Sequence, residues 1–360
     1  MAERANVSKS LVSPVMPGSS SVSEALREAV LKAAELDYRP NELARGLAQR
    51  RTHTVGVLLS YLRNPSFAEI VNGIEVETGP VRYRTLLGTG DRDPEHECQA
   101  ICTLLERQTD GMILPSPSIS AKDLDDAASS TPTVLVGRRT LDCAVSDDFA
   151  GAVMAVEHLF ELGHRRIAHV SGGGSAGAAA RQRGYERAMM RLGLERHLFI
   201  ARGEYTEKGG YEGARRLLGE KVGPTAVFVA NDLAALGALT AMRKAGLSVP
   251  EGVSVISYDN TYLAALSSIA LTSVEQPRHE MGVLAARLLL QRIESGHIES
   301  EHPAGRAAWL AADLCGRGEL DRQDGHVGLQ EQLLGDAAQS TALPTGVCRL
   351  APMTSRSTAP

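Results

Sequence analysis

Residues 225–260 read TAVFVANDLAALGALTAMRKAGLSVPEGVSVISYDN, and this stretch decides the fold class. It contains a short apolar run at Ala226–Ala230, an amphipathic stretch at Leu233–Ala245 that stops at Gly246, and a second apolar run at Val253–Tyr258. Short apolar runs of this kind are typical of buried strands, and the stretch between them has the period of a helix. Two strands joined by a helix form a βαβ unit, in which the strands pair in parallel.

The same alternation extends over the chain from Thr54 onward. Six further runs predict strands, namely Val55–Ser60, Tyr83–Leu87, Gly111–Leu114, Thr133–Val136, Arg166–Val170 and a segment around Leu198–Gly203. Further helices are predicted at Phe67–Thr78, Glu95–Gln108, Gly151–Leu162, Ala179–Leu192 and Gly209–Gly219. Eight strands with helices between them can close one barrel or form two open sheets. Polar residues after several strands favour open sheets, which bind ligands at those ends.

Composition narrows the possible function classes. No apolar run approaches the roughly 20 residues that a membrane span requires, and no secretory signal is evident, so we expect a cytoplasmic protein without a membrane span. The five cysteines lack paired metal spacing, which predicts no metal site. Residues 1–51 carry a net charge of +2, whereas the rest of the chain carries −7. Short predicted helices on this basic head indicate a helix-turn-helix module.

Motifs along the chain add a family resemblance to this pattern. The chain resembles the LacI/GalR (lactose-repressor-like) family of bacterial transcription regulators over about Met1 to Gly318. The motifs that carry the resemblance are Val7-Ser8 with Val12-Ser13, Tyr38-Arg39-Pro40-Asn41, Ala44-Arg45-Gly46-Leu47, Asn64-Pro65-Ser66-Phe67, Glu157-His158-Leu159, Leu162-Gly163-His164-Arg165-Arg166-Ile167-Ala168, Ala230-Asn231-Asp232, Ser257-Tyr258-Asp259-Asn260, Leu271-Thr272-Ser273-Val274 and Gln276-Pro277.

This resemblance implies the fold and the domain boundaries. It implies an α/β protein with a two-lobed, periplasmic-binding-protein-like core of Rossmann-like parallel sheets, preceded by a small all-α helix-turn-helix head. The head with its hinge helix covers residues 1–48, and the effector-binding and dimerisation core covers 54–318. Lobe 1 comprises about 54–161 and 277–300, and lobe 2 comprises about 162–276 and 301–318. Residues 319–360 are predicted to be a disordered tail, because they are rich in small and polar residues without a period.

The resemblance also implies a ligand site between the lobes. The expected ligand is a small-molecule effector, a sugar or sugar derivative, with no cofactor. Its expected contacts are Ser66, Phe67, Ser116, Asp148, Arg181, Tyr205, Asn231, Asp259 and Gln276. The fork of Arg181 suits a ligand that carries an anion or several hydroxyls, and the Asp259 carboxylate suits hydroxyls or amines as donors. Asp232 is expected to cap the helix that begins at Leu233.

In the head, the resemblance implies contacts with a palindromic double-stranded operator bound by a homodimer. The implied contacts are Ser8, Lys9, Ser10, Ser13, Asn41, Arg45 and Leu47. Lys9 and Ser10 fall on base-reading positions, and Leu47 matches a leucine that enters the minor groove. Three departures bear on the head: the chain starts in the middle of the first helix of the family, and Pro14 and Pro17 interrupt the next helical region. We expect the short first helix to reflect a start codon assigned too far downstream.

These observations predict a ligand-responsive repressor that is not an enzyme, since no nucleophile, base and orienting acid converge by motif. A ligand-binding core with a non-functional head is one alternative. An NAD-dependent dehydrogenase is another, because residues 172–177 satisfy the G-x-G-x-x-G pattern after a strand. That pattern stands mid-chain here, whereas in a dinucleotide domain it opens the first unit. A transport-type sugar-binding protein would share the core but would need a signal peptide and no head.

Overall fold

A computed structural model of the chain describes residues 51–137, 143–144, 146–220, 223–295 and 349–350. The predicted head at residues 1–48 lies outside this part of the chain, as do the seven predicted DNA contacts and the prolines of the head. The predicted tail at 319–360 also lies outside it, except for Arg349 and Leu350. These two residues form a strand that pairs with Val274 and Glu275, so the prediction of a disordered tail is wrong for them.

The first sheet is entirely parallel. Its strands are β1 (Thr54–Leu59), β2 (Arg84–Thr89), β3 (Gly111–Pro115), β4 (Thr133–Val136) and β5 (Cys143–Ala144), in the spatial order β2-β1-β3-β4-β5. The strand order reverses direction between β1 and β3. Such a switch point opens a crevice at the carboxyl ends of the two strands, where ligands of open α/β sheets bind.

The second sheet repeats this arrangement. Its strands are β6 (Ile167–Val170), β7 (Phe199–Ala201), β8 (Ala226–Val229), β9 (Ser254–Asp259), β10 (Thr272–Glu275) and β11 (Arg349–Leu350), in the order β11-β10-β9-β8-β6-β7. All neighbours pair in parallel except β11, which is antiparallel to β10. The order reverses between β6 and β8, so this sheet has a switch point of its own. The prediction of two open, Rossmann-like parallel sheets is confirmed.

Helices cover both faces of each sheet. The helices are α1 (Ser66–Thr78), α2 (Pro94–Glu106), α3 (Ala121–Ser130), α4 (Asp148–Glu161), α5 (Ala176–Arg191), α6 (Glu207–Gly219), α7 (Asp232–Lys244), α8 (Tyr262–Ala265) and α9 (Arg278–Ser295). In the first sheet, α1 and α9 bury one face and α2 and α3 bury the other. In the second sheet, α4 and α5 cover one face and α6 and α7 cover the other. Each sheet therefore has its own core.

The chain passes between the sheets at two described places. It leaves the first sheet after β5 and enters α4, whose buried residues pack with β6 and β8 of the second sheet. It returns after β10 through residues 276–277 into α9, which packs on α1 and on the first sheet. The helix at 148–161 thus packs with the second sheet, and we propose the boundary between the lobes at residues 145–147.

Most of the elements predicted from the sequence are present. The eight predicted strands correspond to β1–β4 and β6–β9, and α1 ends at Thr78 before Gly79-Pro80 as predicted. The sequence interpretation did not specify α3, α8 or α9 as helices, nor β5, β10 and β11 as strands. Helix α3 buries only Leu124 and Ala127, so few apolar residues mark it in the sequence.

Helices α6 and α7, which cover one face of the second sheet, come so close together that their contact requires glycine. Gly210 in α6 and Gly237 in α7 face each other's backbones, and a Cβ added at Gly237 would overlap the carbonyl oxygen of Glu207. We expect Gly237→Ala to lower the free energy of unfolding by about 1–3 kcal/mol, because packed helices must separate to admit a methyl group. Urea unfolding measures this loss. The control is Gly219→Ala, where no atom lies near the added methyl group; equal stability of the two variants would contradict the prediction.

A histidine lies in the core of the second sheet. His169 in β6 is fully buried, its ring stacks 4.7 Å from the Phe228 ring and 5.3 Å from the Tyr185 ring, and Nδ1 lies 3.0 Å from the Phe228 carbonyl oxygen. Burial lowers the pKa of His169 to about 4 from an ordinary value of 6.5. Folding therefore favours the neutral ring, and the stability gained is complete above pH 6.5 and lost as the pH falls towards 4.

We expect His169→Phe to weaken the acid sensitivity of the fold. The wild type should lose on the order of 3 kcal/mol of unfolding free energy between pH 6.5 and 4 through this one group. Urea unfolding at pH 7.5, 6.0 and 5.0 measures the loss, with the exposed His96→Gln as a control. Parallel curves for wild type and His169→Phe would show that His169 is not the group responsible.

Candidate functional site

The carboxyl ends of the two sheets line one cavity of about 560 Å³. From the first sheet, Ser60 follows β1 and Ser116 follows β3, which are the two strands at its switch point. From the second sheet, the loop after β6 contributes Gly174, and Asn231 follows β8. The switch points of both sheets therefore open onto the same space.

All nine residues predicted to contact an effector line this cavity. They are Ser66, Phe67, Ser116, Asp148, Arg181, Tyr205, Asn231, Asp259 and Gln276. They are far apart in sequence, and the two sheets and their helices bring them together. Their convergence supports a binding role for this cavity.

A buried arginine organises the floor of the cavity. Arg181 lies in the second turn of α5 and is 4% exposed. Its Nε donates to Asp148 Oδ1 at 3.0 Å, and its Nη1 donates to the carbonyl oxygen of Ala230 at 2.5 Å and lies 3.4 Å from Asp259 Oδ1. The Tyr258 ring lies under the guanidinium, with 3.6 Å between Cζ and the ring centroid. The bonds to described residues use Nε and Nη1, so Nη2 is left for a ligand.

Burial shapes the charges of this cluster. It raises the pKa of Asp148, and the charge and hydrogen bond of Arg181 partly offset that rise. Burial alone would lower the pKa of Arg181, but Tyr205, Asp148 and Asp259 raise it well above its ordinary value. The guanidinium is therefore a permanent cation, held beside two buried carboxylates. Such a cluster offers both charged donors and charged acceptors to a ligand.

Asp259 stands where β9 ends, on a strained backbone. Its φ is +102° and that of Asn260 is +55°, a region that residues other than glycine rarely adopt. The Asp259 carboxylate is 4% exposed and accepts a hydrogen bond from Ser66 Oγ at 2.8 Å. Ser66 belongs to α1 on the first sheet, so this bond crosses the cavity from one lobe to the other. The carboxylate at this strained position thus faces the first lobe.

The expected cap of α7 was wrong by one residue. Asn231 caps this helix, since its Oδ1 accepts a hydrogen bond from the Ala234 N–H at 2.9 Å. Asp232 instead accepts hydrogen bonds from Ser257 Oγ, Ser273 Oγ and both the N–H and the hydroxyl of Thr261, at 2.5–2.9 Å. The carboxylate thus ties together the segments on either side of Asp259. Asn231 still faces the cavity, with its Nδ2 buried and unpartnered.

The glycine-rich segment after β6 has a packing role. A Cβ added at Gly172 would overlap the Tyr205 ring, and one added at Gly177 would lie 3.0 Å from Asp148 Oδ2. Ser175 caps α5 by accepting a hydrogen bond from the Ala178 N–H. Gly172 and Gly177 make room for Tyr205 and Asp148 of the cavity, so packing accounts for these glycines without a bound dinucleotide.

Several other residues line the cavity wall and were not among the expected effector contacts. They include Ser60, Tyr61, Asn64, Arg92, Ser118 and Met281. Arg92 stands in the acidic turn Asp91-Arg92-Asp93-Pro94, which is typical of a loop before a helix. Ser118 is fixed by Glu97, a fully buried residue whose Oε2 accepts a hydrogen bond from the Ser118 N–H at 2.6 Å. A buried glutamate in α2 gives no sequence signal of this contact.

The described part of the chain contains neither a metal-ion site nor a membrane-spanning helix. No group of three or more His, Cys, Asp or Glu side chains there is placed to hold a metal ion. None of the helices described is long and apolar enough to cross a membrane.

Comparisons with known proteins agree with the fold. Residues 1–41 match the model of bacterial regulatory proteins of the lacI family, and residues 156–309 match that of a periplasmic binding protein-like domain. The chain is 35% identical to catabolite control protein A of Priestia megaterium over 309 residues, which are 83% of this chain and 93% of that protein. The chain belongs to the LacI family of bacterial regulatory proteins.

Other members of the LacI family support the assignment. The ribose operon repressor of Haemophilus influenzae is 34% identical over 82% of this chain and 91% of its own length. The structure of the lac repressor dimer bound to operator and the anti-inducer ONPF aligns with a TM-score of 0.72 and 28% identity, over 82% of this chain and 91% of that one. The CelR–cellobiose complex aligns with a TM-score of 0.61 and 33% identity, over 82% and 92% of the two chains.

The geometry of this LacI-family core predicts that the stability of the fold depends strongly on Arg181. We expect Arg181→Gln to lower the free energy of unfolding by about 3–5 kcal/mol at pH 8, because it leaves two buried carboxylates without their cation. The loss should shrink as the pH falls, since the pKa of Asp148 is already raised by burial and rises further without Arg181.

Urea unfolding at pH 8 and pH 5 measures this effect. Arg183→Gln on the exposed face of the same helix is the matched control. The double variant Arg181→Gln with Asp148→Asn should recover part of the stability, since it removes one of the stranded charges. An equal loss at both pH values, without recovery in the double variant, would show that Arg181 acts through packing alone.

Proposed function

We propose that this LacI-family chain is a repressor that binds a palindromic operator as a homodimer and responds to a polyhydroxyl ligand in the cleft between its lobes. The observation that carries the proposal is the cluster of Arg181, Asp148 and Asp259, buried in a 560 Å³ cavity to which both sheets contribute. Relatives support the ligand class, since one is a ribose operon repressor and the solved structures of two others contain cellobiose and ribose.

The site chemistry fits hydroxyl groups. A sugar hydroxyl both donates and accepts hydrogen bonds, and the cavity supplies carboxylate acceptors beside a guanidinium donor. The Phe67 ring and the apolar parts of Ile70 and Met281 line the wall from the first lobe. A ring with hydroxyls at its edge and C–H groups on its face would contact both kinds of wall.

The contacts between the lobes offer a route for the response. Ser66 of the first lobe donates to Asp259 of the second, and Gln276 Nε2 donates to Ser146 Oγ at 2.7 Å. A ligand that bonds to Asp259 changes the first of these contacts and adds its own to both lobes. It therefore shifts the balance between closed and open arrangements, which alters the geometry of the heads in a dimer.

The proposed repressor is not an enzyme and needs no cofactor. It acts in the cytoplasm, where it binds DNA. The residues of the cavity bind and orient, and none of them forms the nucleophile, base and orienting acid of a catalytic set. The glycine pattern that suggested a dehydrogenase packs against Tyr205, so it gives that alternative no support. The operator contacts proposed at Ser8, Lys9, Ser10, Ser13, Asn41, Arg45 and Leu47 belong to the same proposal.

The deciding experiment selects DNA with the full chain. Sheared genomic DNA of the source organism is incubated with the purified protein at moderate salt, and bound fragments are sequenced. We expect a palindromic motif, because a two-fold dimer binds two half-sites. Operator binding is then measured against a library of sugars. Failure to enrich any motif over salt-sensitive background binding would contradict the repressor.

One variant tests ligand binding separately from DNA binding. Asp259→Asn should bind the selected operator with the wild-type Kd and should need about ten- to a hundredfold more sugar for the same response, because a charged acceptor is lost. Asp125→Asn, on an exposed face of α3, is the matched control. Normal sugar sensitivity in Asp259→Asn would place the ligand elsewhere.

A further inference from the structure

One wall of the cavity is formed by the loop between β3 and α3. Residues 116–119 of this loop all line the cavity, with Ser116 and Ser118 exposed and Pro117 and Ile119 buried. Ser116 has a φ of +48°, in the left-handed region that residues other than glycine rarely adopt. The loop belongs to no helix or strand that could fix this shape. Its conformation therefore depends on hydrogen bonds to neighbouring elements.

Two side chains hold the backbone of this loop. Ser60, which follows β1, donates from Oγ to the carbonyl oxygen of Ser116 at 2.8 Å. Glu97, in the first turn of α2, accepts a hydrogen bond through Oε2 from the Ser118 N–H at 2.6 Å. A carboxylate forms shorter and stronger hydrogen bonds with N–H groups than a neutral acceptor does. The contact with Glu97 is therefore well suited to fix the middle of the loop.

Packing alone does not explain a glutamate at position 97. Glu97 is fully buried, and within the described part of the chain it forms no ion pair and its Oε1 has no hydrogen-bond partner. An apolar side chain of similar size would fill this space without the cost of burying a carboxylate oxygen unpaired. The backbone also makes room for it, since a Cβ added at Gly90 would overlap Glu97. The hydrogen bond to the cavity wall is what an apolar residue could not supply.

We infer that Glu97 is a positioning residue for the ligand of this cleft. Through the Ser118 N–H it holds the wall at residues 116–119 in one conformation before a ligand arrives, so Ser116 and Ser118 present their hydroxyls from a fixed backbone. Glu97 does not line the cavity, so it acts on the ligand through this wall and not by contact. A wall that is already ordered spares the ligand the entropy cost of ordering it. This inference rests on the proposed function and adds a residue to the same site.

Hydrogen exchange of single amides in the full chain tests the contact without any ligand. Glu97→Leu removes the acceptor, and Glu97→Gln keeps a neutral one. We expect the Ser118 N–H to exchange about ten- to a hundredfold faster in Glu97→Leu, and only about two- to tenfold faster in Glu97→Gln. The Ser116 N–H donates to the Val136 carbonyl oxygen, so its exchange rate should not change. Glu95→Leu, at an exposed position in the same turn, is the matched control.

Sugar binding tests the consequence for a ligand. D-ribose and cellobiose are titrated by calorimetry into the wild type and the variants. For a sugar that the wild type binds, we expect a Kd about three- to thirtyfold weaker in Glu97→Leu, because binding must then order the wall. Glu97→Gln should recover most of the affinity, and Glu95→Leu should keep the wild-type Kd.

The outcomes separate this inference from the proposed function. Wild-type exchange of the Ser118 N–H in Glu97→Leu, or faster exchange of Ser116 and all of α2 together with it, would overturn the positioning role, since a residue that only supports packing loosens the whole helix. An unchanged sugar Kd in Glu97→Leu would overturn it as well. A wild type that binds neither sugar would count against the ligand class of the proposed function, and the exchange rates would still decide the role of Glu97. If Glu97→Leu does not fold, the ratio of Ser118 to Ser116 exchange in Glu97→Gln decides it.

Discussion

The buried guanidinium of Arg181 is the constraint on which the cleft depends. A charge removed from water must be neutralised and hydrogen-bonded locally, or the fold loses several kcal/mol. Its three acceptors come from the first turn of α4, from the residue after β8 and from the end of β9. The start of a helix and two strand ends must therefore meet at one point, and this requirement fixes the position of the second sheet's switch point relative to the cavity.

A second buried acid keeps this arrangement in place. Asp232 accepts hydrogen bonds from three side chains and one backbone N–H, and burial raises its pKa. These bonds hold Ser257 and Thr261 on either side of Asp259, whose left-handed backbone would otherwise be costly. Asp259, which contacts Arg181, is thus positioned by Asp232, which does not line the cavity. The strain at Asp259 is offset by a fully satisfied polar network below it.

Most of this architecture could be predicted from the sequence, because strands and helices here follow local apolar periods. The nine cavity residues were expected from the resemblance to the LacI family, whose motifs supplied their positions one by one. The exceptions share a physical cause, which is that long-range contacts have no local signal. Arg92 stands among acids in a turn, and only the loop conformation directs it to the cavity. Asp232 was expected to cap α7, but Asn231 caps it and also lines the cavity, because both residue types cap helices and only neighbouring segments provide partners for Asp232.

The contrast between the cores and the cleft explains how such a protein can respond to a ligand. Each sheet has its own apolar clusters, whereas the lobes meet through a few polar contacts such as Ser66 to Asp259, Gln276 to Ser146 and Arg278 Nη2 to the Asn260 carbonyl oxygen at 3.1 Å. Single hydrogen bonds of this kind contribute about 0.5–1.5 kcal/mol net. A ligand that forms several hydrogen bonds to both lobes contributes more free energy than these few contacts together. It can therefore shift the balance between lobe arrangements while both cores remain intact.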